Sequence, residues 1–120
     1  MIHIVDDDDA VRLSMRLLMQ SFGWRSRAFA SAREFLEASP RNDSPACLLL
    51  DLNMPGMNGA ELAEMLAGWD PRVPVIVITG EGNTSQLAAR ARNAGVAEVL
   101  HKPFREDDLK ATIDRVLAKH

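Results

Sequence analysis

The sequence predicts an α/β fold, a doubly wound parallel sheet of five strands built from five successive βα units. Apolar strand-like runs alternate five times with helix-periodic segments along the 120 residues, the pattern of parallel strands joined by crossover helices. Runs such as Leu48 to Leu50 and Val75 to Ile78 are unbroken Val/Ile/Leu stretches, as parallel strands covered on both faces require. Several of these runs end in a polar residue, and open sheets of this kind bind ligands just past the carboxyl ends of their strands.

Each element has its own signal. The first strand is Ile2-His3-Ile4-Val5, followed by the acidic block Asp6 to Asp9. A helix follows, with Val11, Met15, Leu18 and Phe22 on one face before Gly23 stops it. Trp24 to Phe29 is a weaker second strand, expected at an edge. Ser31 and Glu34 have the spacing of a capping box, with Ala30 and Phe35 as its hydrophobic staple, so a short helix begins there with Ala32, Phe35 and Leu36 facing inward. The polar stretch 39–45 is a loop into the third strand, Ala46 to Leu50, which Asp51 closes.

Residues 54–59 are too rich in Pro, Gly and Asn for regular structure, and helix resumes with Leu62, Met65, Leu66 and Trp69 on one face. Val73 to Ile78 is the fourth strand, with Pro74 near its start, where a missing donor is tolerable, and Thr79 at its end. Asn83 with Gln86 caps a fourth helix carrying Leu87, Ala91 and Ala94, and Gly95 punctuates it. Val96 to Leu100 is the fifth strand, ended by Lys102-Pro103. The last helix carries Leu109, Ile113, Val116 and Leu117, and Glu106, Asp107 and Asp108 suit its positive N-terminus.

The bulk properties narrow the function. The chain has no repeat or low-complexity tract and reads as one domain over 1–120. Fourteen basic against seventeen acidic residues give a net charge of −3, which argues against non-specific binding to nucleic acid. Cys47 is the only cysteine, which excludes an internal disulfide and a thiolate metal cluster; it reads as a buried strand thiol. The lack of a membrane-length apolar run or a signal peptide points to a cytoplasmic protein with no membrane contact.

Asp6, Asp7, Asp51, Thr79 and Lys102 follow the ends of strands one, three, four and five and should converge. An oxygen-only cluster without spare His or Cys suits a hard cation such as Mg²⁺, which keeps several waters and takes one or two carboxylates with phosphate oxygens. A carboxylate, a divalent ion, a hydroxyl and an ammonium together make a phosphoryl-transfer site. Asp51 would be its nucleophile, becoming an aspartyl phosphate, with Thr79 and Lys102 on phosphoryl oxygens.

The motifs VDDDD, DLNMPGMNG, VIVITG and HKPF, in that order and spacing, resemble the receiver domain of bacterial two-component response regulators over the whole chain. IHIVDD, ASAREFL and ITGEG are most similar to the nitrogen-fixation subgroup of transcriptional regulators. The resemblance implies a flavodoxin-like sheet in the order 2-1-3-4-5. It implies Asp51 as phosphoacceptor from a sensor histidine kinase, Asp7 as a direct Mg²⁺ ligand, Asp6 as a ligand largely through water, and the Asn53 carbonyl as the third protein ligand. It also implies a cis Lys102-Pro103 peptide, an open approach at Gly80, and Asn53 and Glu81 flanking the attacking water. Transcription would be controlled through an effector domain absent from this chain, the only route to DNA, with a phosphorylation-dependent homodimer as a further partner.

One position departs from the pattern, because Val99 stands where receiver domains usually carry Tyr or Phe. A valine has no ring to swing, which leaves the Thr79 shift and a loop rearrangement as routes of transmission. Other residues read blandly. Asp8 and Asp9 cap the first helix; His3 is a packed or edge histidine of its strand rather than a phosphohistidine, His101 is exposed and His120 is terminal. Met15, Met19, Met54, Met57 and Met65 are core and loop filler, and Trp24 and Trp69 are packing residues near helix ends. Competing functions are an aspartate-nucleophile phosphatase, disfavoured because Asn53 replaces the second Asp such enzymes need as general acid, and a degenerate receiver that acts by protein contact alone.

Overall fold

The computed structural model describes residues 1–38, 46–69, 73–80 and 85–119. In chain order its elements are β1 (Ile2–Val5), α1 (Asp9–Ser21), β2 (Ser26–Phe29), α2 (Ala32–Glu37) and β3 (Cys47–Asp51). They continue with α3 (Gly59–Leu66), β4 (Val75–Thr79), α4 (Ser85–Asn93), β5 (Glu98–His101) and α5 (Glu106–Lys119). All strand pairings are parallel, and the order across the sheet is β2-β1-β3-β4-β5.

The period-2 alternation of each strand sorts side chains into two apolar layers. Ile2, Ile4, Cys47, Leu49, Ile76 and Ile78 face α1 and α5, meeting Met15, Met19, Leu109 and Ile113. Val5, Leu48, Leu50, Val75 and Val77 face the other way, onto Phe35 of α2, Leu62 and Leu66 of α3, and Ala88 and Ala91 of α4. Burying side chains of this size contributes roughly 1.5–3 kcal/mol each. The central strands β1, β3 and β4 are thereby fixed between two cores, which holds their carboxyl ends in register.

Several expectations shift in detail. The strands β2, β4 and β5 begin two residues later than their apolar runs, and β3 gains Asp51 by pairing it with Ile78. Met65 does not face the core: it is 46% exposed, and the buried face of α3 is Ala60, Leu62, Ala63 and Leu66. Trp69 lies past the helix, where it stacks on Phe35. On α1 the fully buried residue is Met19, while Val11, Leu18 and Phe22 are half-buried at the edge of the same core. His3 is packed, edge-on to Phe29 and Phe35. Residues 39–45, the cap at Asn83, and Glu81 and His120 lie outside the described residues.

Candidate functional site

The site begins in the turn after β1. The Asp6 N–H still bonds to the Phe29 carbonyl at 3.1 Å, but its carboxylate accepts the Asp8 N–H at 2.9 Å, which bends the chain out of the sheet. Asp8 is then the N-cap of α1, accepting the N–H groups of Ala10 and Val11 at 2.8 and 3.2 Å. Asp9 occupies the first helical turn, where negative charge is favoured. The acidic block therefore divides: Asp8 and Asp9 serve the helix, and Asp6 and Asp7 point elsewhere.

Asp51 is placed by β3 and by the loop that follows. Leu52 continues the ladder by donating to the Ile78 carbonyl at 3.1 Å, and the Gly59 N–H returns to the Leu52 carbonyl at 3.0 Å. A Cβ on Gly59 would stand 2.5 Å from the Asp51 carbonyl oxygen and 2.8 Å from Leu52 Cα, so only glycine lets α3 start this close to the phosphoacceptor candidate. Asn58 and Glu61 complete a reciprocal capping box at that point, with bonds of 2.9 and 3.1 Å.

Carboxylate oxygens of Asp6, Asp7 and Asp51 lie within 4.8 Å of one another. Lys102 lines the same cavity of about 520 Å³ as Asp6 and Asp51, together with apolar walls that include Ile4, Met15 and Phe104. Three carboxylates against one ammonium leave two negative charges, and at this spacing each like pair repels by roughly 3–4 kcal/mol at an effective dielectric of 20. Burial pushes the Asp51 carboxyl up to about 6, reinforced by the neighbouring Asp6 and opposed by the Asn53 N–H and Lys102. Asp6 is raised too, first by burial, while the Asp8 N–H and Lys102 pull it down. The donor set is oxygen only, crowded and short of positive charge, which fits a hard divalent cation.

The remaining expected residues flank this cluster. The Asn53 N–H points to Asp51 Oδ1 at 3.4 Å, and its side chain is exposed. Thr79, fully buried at the end of β4, directs its hydroxyl to the Gly80 carbonyl at 3.3 Å, and its own carbonyl accepts the Lys102 N–H at 2.7 Å. The Lys102-Pro103 peptide is cis. Val99 packs half-buried against the core beneath α4. Two features escaped the sequence reading: Arg12, which reaches back over the acid turn, and the box of Asn58 and Glu61, whose spacing was a usable signal. Among the described residues no helix is long and apolar enough to cross a membrane.

The family model described as "Response regulator receiver domain" matches residues 2–114. Response regulator protein TmoT of Ectopseudomonas mendocina is 39% identical over 120 residues, a match covering 97% of this chain and 52% of that protein. Transcriptional regulatory protein FixJ of Bradyrhizobium diazoefficiens is 35% identical over 116 residues, covering 97% and 56%. The chain thus spans about half the length of these curated relatives. The crystal structure of FixJ-N superposes with a TM-score of 0.88 at 33% identity, covering 99% of this chain and 94% of the other. By the family match, the sheet order and the acidic cluster, this chain belongs to the response regulator receiver domains of two-component systems and is a homologue of FixJ-type transcriptional regulators.

Proposed function

We propose that residues 1–120 act as one phosphoacceptor domain, in which Asp51 takes a phosphoryl group from a sensor histidine kinase with Mg²⁺ held by Asp6, Asp7, Asp51 and Asn53. The observation that carries this is the convergence of three carboxylates within 4.8 Å beside Lys102. An Asp51 carboxylate oxygen attacks phosphorus, the P–N bond of the phosphohistidine breaks, and its electron pair returns to the imidazole nitrogen. Asp51 must be ionised to attack, and a nearby cation together with Lys102 favours that form against the pull of burial. When bound, Mg²⁺ supplies positive charge to the phosphoryl oxygens.

Lys102 holds a further phosphoryl oxygen, and the Thr79 hydroxyl turns from the Gly80 carbonyl to another. Apolar walls lower the local dielectric and strengthen each of these contacts. The product is a changed surface that controls an output, and the domain works by binding rather than turnover. That output is transcription, through an effector segment like those of the longer regulators this chain resembles, in the cytoplasm and with homodimerisation of the phosphorylated form. The test is incubation with acetyl phosphate and Mg²⁺ followed by intact-mass measurement. One added phosphoryl group is expected on the wild type and none on Asp51→Asn; no addition, or equal addition to both, refutes the assignment.

A further inference from the structure

Arg12 belongs to no step of phosphoryl transfer, yet it joins the first helix to the acid turn. Its side chain is only 18% exposed, unusual for arginine. Nη1 donates to the Asp6 carbonyl at 2.8 Å, and Nη2 pairs with the Asp9 carboxylate. The Asp6 carbonyl belongs to the peptide that links Asp6 to Asp7, so a donor there fixes the plane from which both carboxylate side chains project. The Asp8 N–H holds the Asp6 carboxylate from the other side. The turn is braced at its peptide and at its side chain.

Charge and geometry make opposite demands on this residue. A guanidinium bonded to the Asp6 carbonyl adds positive charge to the acid turn and repels an incoming cation, so on charge alone its removal should tighten divalent-ion binding. Geometry argues the reverse, because a turn held in its binding conformation loses less freedom when the ion arrives. Lysine at this position would keep the charge but not the planar fork that spans two acceptors.

We propose that Arg12 is a positioning residue for the divalent-ion site, clamping the Asp6–Asp7 peptide through its bond to the Asp6 carbonyl and its pairing with Asp9. The proposal rests on the reading of Asp6, Asp7 and Asp51 as that site. It places control of ion affinity partly on α1, outside the ligands themselves, as supporting contacts around ligands commonly do.

Isothermal titration of Mg²⁺ into the unphosphorylated protein tests it, with wild type, Arg12→Ala, Arg12→Lys, Asp7→Asn and Met19→Ala compared. Met19 is fully buried in α1 away from the acid cluster, so its truncation lowers stability without touching the turn. Arg12→Ala should weaken Mg²⁺ binding about tenfold, the low end for loss of a supporting contact. Arg12→Lys should stay near the alanine variant, and Met19→Ala near wild type. Unchanged or tighter binding in Arg12→Ala, full rescue by lysine, or equal weakening in Met19→Ala overturns the role of Arg12 alone. A wild type that binds no Mg²⁺, or Asp7→Asn binding as wild type does, overturns the site reading and this proposal together.

Discussion

Replacing Gly59 by alanine should damage both stability and the site, because the added methyl group meets backbone on every near side. Its closest contacts would be 2.5 Å to the Asp51 carbonyl oxygen, 2.8 Å to Leu52 Cα and 3.1 Å to the Asp51 carbonyl carbon. None of these atoms can rotate away, so the start of α3 must move off the end of β3 by roughly 0.9 Å to restore ordinary contact in a close-packed interior. Overpacking of this kind costs about 1–3 kcal/mol. Stretching the 3.0 Å bond from the Gly59 N–H to the Leu52 carbonyl costs up to about 1 kcal/mol more. The unfolded chain offsets part of this, since alanine has less backbone freedom than glycine by about 0.4–1 kcal/mol. The balance is a loss of about 2 kcal/mol, or a Tm lowered by roughly 8 °C for a domain of this size. Gly56→Ala is the control: it has open space around it but a φ of +74°, so it should cost about 1 kcal/mol of backbone strain without moving Asp51. Thermal unfolding by circular dichroism, with Mg²⁺ titration of each variant, reads both effects. If Gly59→Ala unfolds no earlier than Gly56→Ala and binds Mg²⁺ as wild type does, the tight seat of α3 on Asp51 is wrong.

Two further outcomes follow from the site. The folded-state value of Asp51, about 6, lies above its unfolded value of about 3.9, so the folded chain binds more protons between them and stability falls as pH rises through that window. After allowance for solvent screening, Asp51→Asn should gain about 1–2 kcal/mol at pH 7.5 without Mg²⁺, and the gain should fade toward pH 4; urea titrations that find no gain at pH 7.5 contradict the buried charge. At the start of α3, Asn58→Ala and Glu61→Ala should each cost about 1 kcal/mol. The pair should cost less than the sum in a double-mutant cycle, since each bond of the box supports the other; strict additivity contradicts that coupling.

Most of the fold was legible because it depends on patterns that sequence carries directly. The apolar runs at residues 2–5, 48–50 and 75–78 are short and bounded by turn or polar residues, as strands buried on both faces are, and all three lie in the centre of the sheet. The strand ends were less legible: pairing, not composition, brought Asp51 into β3 and left Val73 and Val96 outside their strands. Met65 was misplaced because helical spacing gives a face only to within a residue, and Ala60 and Ala63 claim the inward side. At the site, the convergence of Asp6, Asp7 and Asp51 followed from topology, as did that of Lys102. The clasp of Arg12 on a backbone carbonyl could not be read, since a carbonyl leaves no mark in the sequence. The contact of Gly59 with Asp51 was equally hidden, because a glycine in a turn-rich loop gives no sign of which neighbour it touches.

Asp51, and no other acid of the cluster, is the proposed site of phosphorylation. Borohydride reduces an acyl phosphate to an alcohol, so it converts an aspartyl phosphate to homoserine that peptide mass spectrometry can locate. After reaction with acetyl phosphate and Mg²⁺, homoserine is expected at position 51 alone, and at no position when Mg²⁺ is withheld. Homoserine at Asp6 or Asp7, or at position 51 regardless of Mg²⁺, would contradict the account.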